Sequence, residues 1–385
     1  MRPCVCLVVI PIFLFFGLMP AAGQSPAKTD AGYAKVTGPC LFEFPRDHGA
    51  HPEYRTEWWY YTGNLADDAG RRFGFQLTFF RSRILPPGEV VTADHLRSAW
   101  RTPQIFAAHA AISDIEAGKH WFDERLARGA IEMAGVSRTA GVTRVFLRDW
   151  SAVFRDGLQH LSANTSDFSL DLQLVPLKPP VAHGDAGYSR KGTSPDRASC
   201  YYSFTRMEAR GNLVVDGMSA EVAGLSWMDH EFSSAPLEDG IDGWDWFSLQ
   251  FQDETELMIY RLRLKEGGVH AASSGTFVNR EGHVRHLTAK MIDVTAREYW
   301  KSPNSQAVYP VAWRIVISVL DLDIKASAEL KNQEMRTNRS TGVTYWEGSV
   351  SANGARAGQP VEGRGYVEMT GYADPFSALR GKPDS

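Results

Sequence analysis

Residues 51–65 read HPEYRTEWWYYTGNL, with four consecutive aromatics at Trp58, Trp59, Tyr60 and Tyr61. Successive side chains of an extended strand point to opposite sides. Trp58 and Tyr60 therefore share one face, and Trp59 and Tyr61 share the other with Arg55 and Glu57. A sheet with one wet face alternates apolar with polar residues. This stretch breaks that alternation, so both of its faces are expected to be covered.

The chain around it is strand-rich. RFGFQLTFFRSRI, FSLDLQLVPL, TELMIYRLRL and VAWRIVISVLDLDIKASAEL alternate or nearly alternate, with turn residues between them and little helical periodicity. The longest loop signal, rich in Pro, Gly and Ser, covers about residues 178–199. A loop of that length in a compact fold is functional or mobile.

The chain also repeats itself. FQLTFFRSR ends on Arg81 and Arg83, and TELMIYRLR ends on Arg261 and Arg263, a shift of 180 residues. Each is preceded by an aromatic strand and an acidic turn. A second match, at a shift of 139, aligns Gly224 with Gly363, Trp227 with Tyr366 and Asp229 with Glu368. Two matches in the same order imply a duplicated meander of antiparallel strands. Closure of each copy into a barrel would remove exposed edges. Two packed barrels would bury one ring face of residues 58–61 inside a barrel and the other against the partner copy or the N-terminal segment. A single large sandwich is the alternative architecture.

Bulk composition excludes several classes. The 385 residues are 43% hydrophobic and 22% charged with a net charge of −4, a globular balance with no basic run for nucleic acid. The start, MRPCVCLVVIPIFLFFGLMPAAGQ, has a basic residue, a short apolar run and small residues before Gly23, which predicts a cleaved export signal over residues 1–23. The expected mature protein is secreted or periplasmic and does not span a membrane. Cleavage leaves Cys40 and Cys200. An oxidising compartment permits their pairing, but nothing in the sequence brings them together.

The motifs HPEYRTEWWYYTGNL, AAHAAISD, GLSWMDHEF, GWDWFSLQ and YWEGSV…GRGYVEMTGY together resemble the CrtC/AttH family of lipocalin-like proteins, over roughly residues 40–375. The resemblance implies an all-β chain of two tandem lipocalin-like antiparallel barrels packed against each other. An N-terminal segment at 24–44 would precede a first domain at 45–235, a second at 236–376 and a tail at 377–385. It also implies a small apolar ligand, lipid-like or isoprenoid-like, and a link to an ABC transporter permease. The alternative is a cofactor-free hydratase, lyase or isomerase of the carotenoid 1,2-hydratase kind.

In hydratases of that family the acid of the matching motif protonates an alkene, with an aromatic residue two positions earlier stabilising the cation. That maps onto Asp229 as proton donor and Trp227 as its cation–π partner, although this chain has Trp where carotenoid hydratases tend to have Tyr. The chemistry needs an acid that stays protonated near neutral pH, which burial against rings provides. A ring face adds on the order of 0.5–2 kcal/mol to a developing cation. Asp229 is expected inside a greasy container. Trp59, Tyr61, Arg81, His109, Trp244, Trp246, Tyr366 and Glu368 are the expected ligand-lining residues.

Other readings of the same residues compete with these. A structural ion pair of Asp229 with Arg81 or Arg261 competes with the acid role. A metal is not expected at SWMDHEF, because alternation splits Asp229 and Glu231 from His230. Arg55 and Glu57 are expected to form an internal salt bridge, Asp245 to be structural, and His48 and His51 show no clear partner. No nucleophile elbow, P-loop or dinucleotide fingerprint occurs.

Overall fold

The computed structural model describes residues 27–88, 102–130 and 132–373. The predicted leader at 1–23 and the tail at 377–385 lie outside them. Strands in the first half are β1 (Thr56–Asp67), β2 (Arg72–Arg83), β3 (Gln104–Asp114), β4 (Lys119–Arg128), β5 (Ala134–Thr139), β6 (Val142–Leu147), β7 (Trp150–Arg155), β8 (Leu158–Asn164), β9 (Phe168–Pro176), β10 (Val181–Ala182), β11 (Tyr188–Arg190), β12 (Ala198–Val215) and β13 (Met218–Ser233). The second half has β14 (Ile241–Phe251), β15 (Glu256–Leu264), β16 (Ser274–Val278), β17 (Val284–Thr288), β18 (Asp293–Lys301), β19 (Val308–Ile317), β20 (Leu322–Ala328), β21 (Glu334–Arg336), β22 (Thr344–Arg356) and β23 (Gln359–Thr370). No helix among the described residues is long and apolar enough to cross a membrane.

The duplication is written into the topology. The first sheet runs β4-β3-β2-β1-β13-β12-β9-β8-β7-β6-β5, and the second runs β17-β16-β15-β14-β23-β22-β20-β19-β18. Strand for strand, β1 corresponds to β14, β2 to β15, β12 to β22 and β13 to β23. The first sheet curls until β6 lies against β2, β3 and β4, a nearly closed barrel, whereas the second forms a half-barrel. Tight hairpins make this possible: β7–β8, β12–β13 and β22–β23 turn through Asp156-Gly157, Asp216-Gly217 and Ala357-Gly358, all with positive φ. Such two-residue turns match the right-handed twist of the flanking strands.

Both faces of the aromatic strand are covered. Trp59 and Tyr61 point into the first barrel, where they pack with Phe75, Leu77, Phe79, Trp150 and Leu172 as fully buried core. Tyr60 points the other way, into a cluster shared with the second sheet. The segment before β1 packs against this core. The indole of Trp59 donates to the His48 carbonyl (3.0 Å), and the His48 ring stacks on Phe154 (4.8 Å between centroids). A disulfide between Cys40 and Cys200 ties this segment to β12.

The expected Arg55–Glu57 pair does not form. Side chains two apart on one strand face are farther apart than directly opposed neighbours on paired strands, and register places Arg81 opposite Glu57. Arg81 Nε donates to Glu57 Oε2 at 2.7 Å with both side chains fully buried, while Arg55 lies over the Tyr33 ring. Glu57 also accepts from His51 (Nδ1, 2.8 Å) and holds His230 Nε2 at 2.9 Å. His48 in turn bonds the Tyr202 hydroxyl at 2.9 Å, so both histidines have partners. Burial alone would lower the His51 pKa, but hydrogen bonds to Asp47 and Glu57 raise it to about 9. Its stabilising contribution is complete below the unfolded value near 6.5 and is lost as pH climbs through about 9.

Removing one partner of a buried ion pair costs about 3–5 kcal/mol, because the other charge is left uncompensated. Glu57→Gln is therefore expected to lower the urea unfolding free energy by about that much. Glu208→Gln, at an exposed pair with Arg210, should leave the midpoint nearly unchanged.

Candidate functional site

The two sheets meet along an aromatic seam. Tyr60, Tyr201 and Trp227 from the first sheet pack against Ile241, Trp246, Met258, Tyr260, Leu262 and Tyr366 from the second. Half-buried Trp58, Leu237, Trp244 and Leu264 form its outer edge. The sheets approach closely: a Cβ on Gly74 would lie 2.6 Å from the Tyr366 hydroxyl. The 178–199 segment, the expected long loop, lies across this junction. Its Lys191 sits over the Tyr260 ring (3.9 Å) and pairs with Glu231 (3.1 Å).

Asp229 lies in this seam, not in a barrel interior. On β13, Trp227, Asp229 and Glu231 face the second sheet while Met228 enters the first core, so the alternation holds and only the identity of the two faces differs from expectation. Its carboxyl is almost wholly enclosed, 4% exposed. Three donors converge on it. Trp227 Nε1 reaches Oδ1 at 2.6 Å, the Ser203 hydroxyl also donates to Oδ1, and the Tyr201 hydroxyl donates to Oδ2 at 2.7 Å. Tyr201 itself accepts from Trp246 Nε1 at 3.1 Å. The indole of Trp227 thus offers its N–H edge to the acid, while its ring lies edge-on to Trp246 at 81°.

These groups set the acidity. Burial raises the Asp229 pKa, the hydrogen bonds from Ser203, Tyr201 and Trp227 lower it, and the nearby Glu231 charge raises it again, leaving it at about 7. Behind Ser203 stands His183, whose Nε2 lies 2.6 Å from the Ser203 oxygen and whose Nδ1 lies 2.8 Å from Thr276. Because Ser203 donates to Asp229, the His183 Nε2–H donates to Ser203 and Nδ1 accepts from Thr276. Burial, with Lys191 nearby, lowers the His183 pKa to about 3 and keeps the ring neutral.

The second copy supplies its own acids. Glu368 lies directly opposite Glu347 across β22–β23, as Asp229 lies opposite Ser203 across β12–β13. Trp244 Nε1 donates to Glu368 at 3.2 Å. Burial raises both glutamates' pKa values; Glu368 adds to the rise at Glu347, and Asp229 adds to the rise at Glu368. The register crosses over between copies. Tyr60, opposite Asp229, reaches Glu347 of the other half, and Trp246, opposite Glu368, reaches Tyr201 of the first.

The remaining expected residues lie elsewhere. Trp59 and Tyr61 wall the packed first core on the far side of β1; the Tyr61 hydroxyl donates to Gln159 at 2.9 Å. Arg81 belongs to the Glu57 cluster, and Asp245 takes Arg261 and Arg263, so neither expected arginine pairs with Asp229. His109 joins the sheets at a different point, bonding Tyr345 (2.7 Å) and Ser340 (2.9 Å). Asp229, Trp227, Trp244, Trp246, Tyr366 and Glu368 do come together. Sequence reading missed Ser203, Tyr201, His183, Glu347 and Tyr60; the parallel between CYYSF at 200–204 and TYWEG at 344–348 offered one signal, since it pairs Ser203 with Glu347, the residues opposite Asp229 and Glu368.

One group could ligate a metal among the described residues: His51, Glu57 and His230 hold ligand atoms within 4.8 Å of one another. The Arg81 guanidinium and a protonated His51 already supply positive charge to Glu57 there, so the donor set suits an ion-pair cluster rather than a cation.

Two duplicated antiparallel sheets around an acid-bearing aromatic seam define a lipocalin-like protein. The chain belongs to the AttH-like family, whose profile matches residues 35–372. It is similar to an AttH-assigned crystal structure from Nitrosomonas europaea, at 34% identity and TM-score 0.77, over 88% of this chain and 99% of that one. Kievitone hydratase from Nectria haematococca shares the fold at 15% identity and TM-score 0.66, over 91% and 99% of the two chains. CghA with Sch210972 shares it at 13% identity and TM-score 0.54, over 89% and 97%. None of the curated proteins matches.

A carboxyl whose folded pKa is raised stabilises the fold below its unfolded value, near 3.8 for Asp229, and loses that contribution as pH rises through about 7. The melting temperature of Asp229→Asn relative to wild type is therefore expected to rise between pH 5 and pH 8. A difference that stays flat over that range contradicts the assigned acidity.

Proposed function

We propose that this is an exported protein that binds a small apolar, unsaturated molecule at the seam and transfers a proton to it from Asp229. The observation that carries this reading is the enclosure of one carboxyl among indoles and phenols with its acidity tuned to neutrality. Carrying a ligand needs only an apolar lining; a buried acid at that pKa is suited to proton transfer.

The step balances without a cofactor. The Asp229 O–H bond breaks and its proton forms a C–H bond with the alkene, leaving a carbocation on the substrate. Water adds to that cation, forming a C–O bond, and its surplus proton returns to the Asp229 carboxylate. Loss of a neighbouring substrate proton to Asp229 would give isomerisation instead. Trp227 Nε1 and the Ser203 and Tyr201 hydroxyls hold the carboxylate formed in between. The faces of Trp227 and Trp246 would lower the energy of the cation.

A second reading is a periplasmic or secreted carrier that passes its ligand to an ABC transport system. The export signal predicted over residues 1–23 and the AttH-like family support it.

Native mass spectrometry of the exported protein, followed by incubation with a panel of terpenes and polyenes, separates these readings. The enzyme reading predicts a product heavier by one water or an isomer. It also predicts that Asp229→Asn loses turnover at least 100-fold, within the range for general acid catalysis, with affinity nearly unchanged. Wild-type turnover in that variant would remove Asp229 from the chemistry. A bound ligand of unchanged mass throughout would favour the carrier.

A further inference from the structure

Asp229 is shut off from solvent, so a molecule that reaches it needs a wall that moves. Strand β13, which carries Asp229, is laddered to β1 on one side and to β12 on the other. Segments held by such ladders are the last to open. The segment at 178–199 is held differently. Strand β9 pairs with β12 from Met207 to Val215, so the part of β12 that bears Tyr201 and Ser203 has this segment beside it instead. Its ladders to β12 are short, two residues at β10 and three at β11. Between them the chain turns through Gly184, Ala186 and Gly187, all with positive φ. Asp185, Ala186 and residues 193–195 are exposed.

Two side chains of the segment reach inward, and each touches both halves. The His183 ring lies 4.2 Å from the Tyr201 ring and bonds Ser203 of the first sheet and Thr276 of the second. Lys191 pairs with Glu231 and sits over the rings of Tyr201 (5.1 Å) and Tyr260 (3.9 Å). Together they cover two of the three donors to Asp229. The ends of the segment are firmly fixed. Lys178 donates to Glu256 (2.9 Å) and to the Asn279 carbonyl (2.7 Å), and Cys200 is bonded to Cys40. The middle is fastened on its outer side by polar contacts. Glu238, on the linker between the halves, accepts from the Thr193 N–H (2.7 Å) and hydroxyl (3.1 Å) and lies 3.5 Å from Arg197. Lys35 pairs with Asp196 at 2.8 Å, and the Cys40 N–H donates to the Ala186 carbonyl at 2.9 Å. Solvent-exposed pairs of this kind contribute little. The segment is therefore anchored at both ends and lightly held between them.

We infer that residues 183–197 are a lid on the Asp229 end of the seam, fastened inside by Lys191 and outside by Glu238, and that the apolar ligand enters beneath it. This rests on the seam being the ligand site proposed above. Swinging Lys191 out bares the faces of Tyr201 and Tyr260, an apolar entrance from both sheets. Lifting His183 away opens the Tyr201 and Ser203 hydroxyls to water. Lowering the lid over a bound molecule restores both contacts and excludes water from the carboxyl before it acts.

Hydrogen exchange of the exported protein, read by mass spectrometry, tests the lid without any ligand. In wild type the amides of residues 183–197 are expected to exchange by local opening, faster than those of β13. Glu238→Ala leaves the side chains around Asp229 in place. It should speed lid exchange about three- to tenfold, the loss of one net hydrogen bond, with β13 unchanged. The association rate of farnesene, followed through the fluorescence of the seam tryptophans, should rise by the same factor. Lys191→Met, which keeps the apolar stem, should act likewise from the inside and serves if the first variant folds poorly. Lid amides that exchange only together with β13, or that respond to neither variant, would overturn the lid whether or not farnesene binds. Faster lid exchange with an unchanged association rate would overturn it as the entrance. Independent lid exchange with no farnesene binding would instead overturn the apolar-ligand reading, and the entrance with it.

Discussion

The enclosure of Asp229 between two sheets is the constraint on which the rest depends. A carboxylate taken out of water must be paired, protonated or intensively hydrogen-bonded. Among the described residues no cation pairs with Asp229: Arg81 is committed to Glu57, Arg261 and Arg263 to Asp245, and Lys191 to Glu231. Three hydrogen bonds hold its ionised form, and burial with the Glu231 charge favours its neutral form. The near-balance of these opposing effects leaves its pKa at about 7, the acidity that the proposed proton donor needs. An ion pair at the same position would have made it an inert structural acid.

Duplication explains how such a seam arises. Each half places an acid on its last strand and an aromatic residue opposite it on its first strand: Tyr60 with Asp229, and Trp246 with Glu368. When the halves face each other, each aromatic reaches across to the other half's acid site, through Glu347 in one direction and Tyr201 in the other. The halves differ at the position opposite the acid. Ser203 opposite Asp229 is a neutral donor, whereas Glu347 opposite Glu368 is a second acid. One end of the seam therefore has a carboxyl served by three donors, and the other has two carboxyls facing each other across a strand pair.

Much of this architecture was legible from residues 51–65 alone, because rings on both faces of one strand require two covers. The repeats at shifts of 180 and 139 residues anticipated the matching strand orders, and alternation correctly separated Trp227 and Asp229 from Met228 and His230. Parity cannot say which face is the packed interior, so Trp59 and Tyr61, expected to line a ligand, lie in packed core instead. Nor does sequence distance reveal register. Ser203 meets Asp229 through a hairpin whose pairing shifts between Phe204 and Met207, and Tyr60 meets Glu347 only through the packing of two sheets. Arg55 lost Glu57 to Arg81 for the same reason: cross-strand opposition outranks proximity along the chain.

The most direct test is the ionisation of Asp229 itself, followed by carbon-13 NMR of labelled aspartate carboxyls and assigned with the Asp229→Asn variant. A seam that excludes water predicts a midpoint at about 7 for this resonance, moving down when Trp246→Ala opens the enclosure to solvent and up when Ser203→Val removes a hydrogen bond to the ionised form. A midpoint near the ordinary aspartate value of about 4 would mean that water or an unrecognised cation reaches the carboxyl, and the acid role would fall.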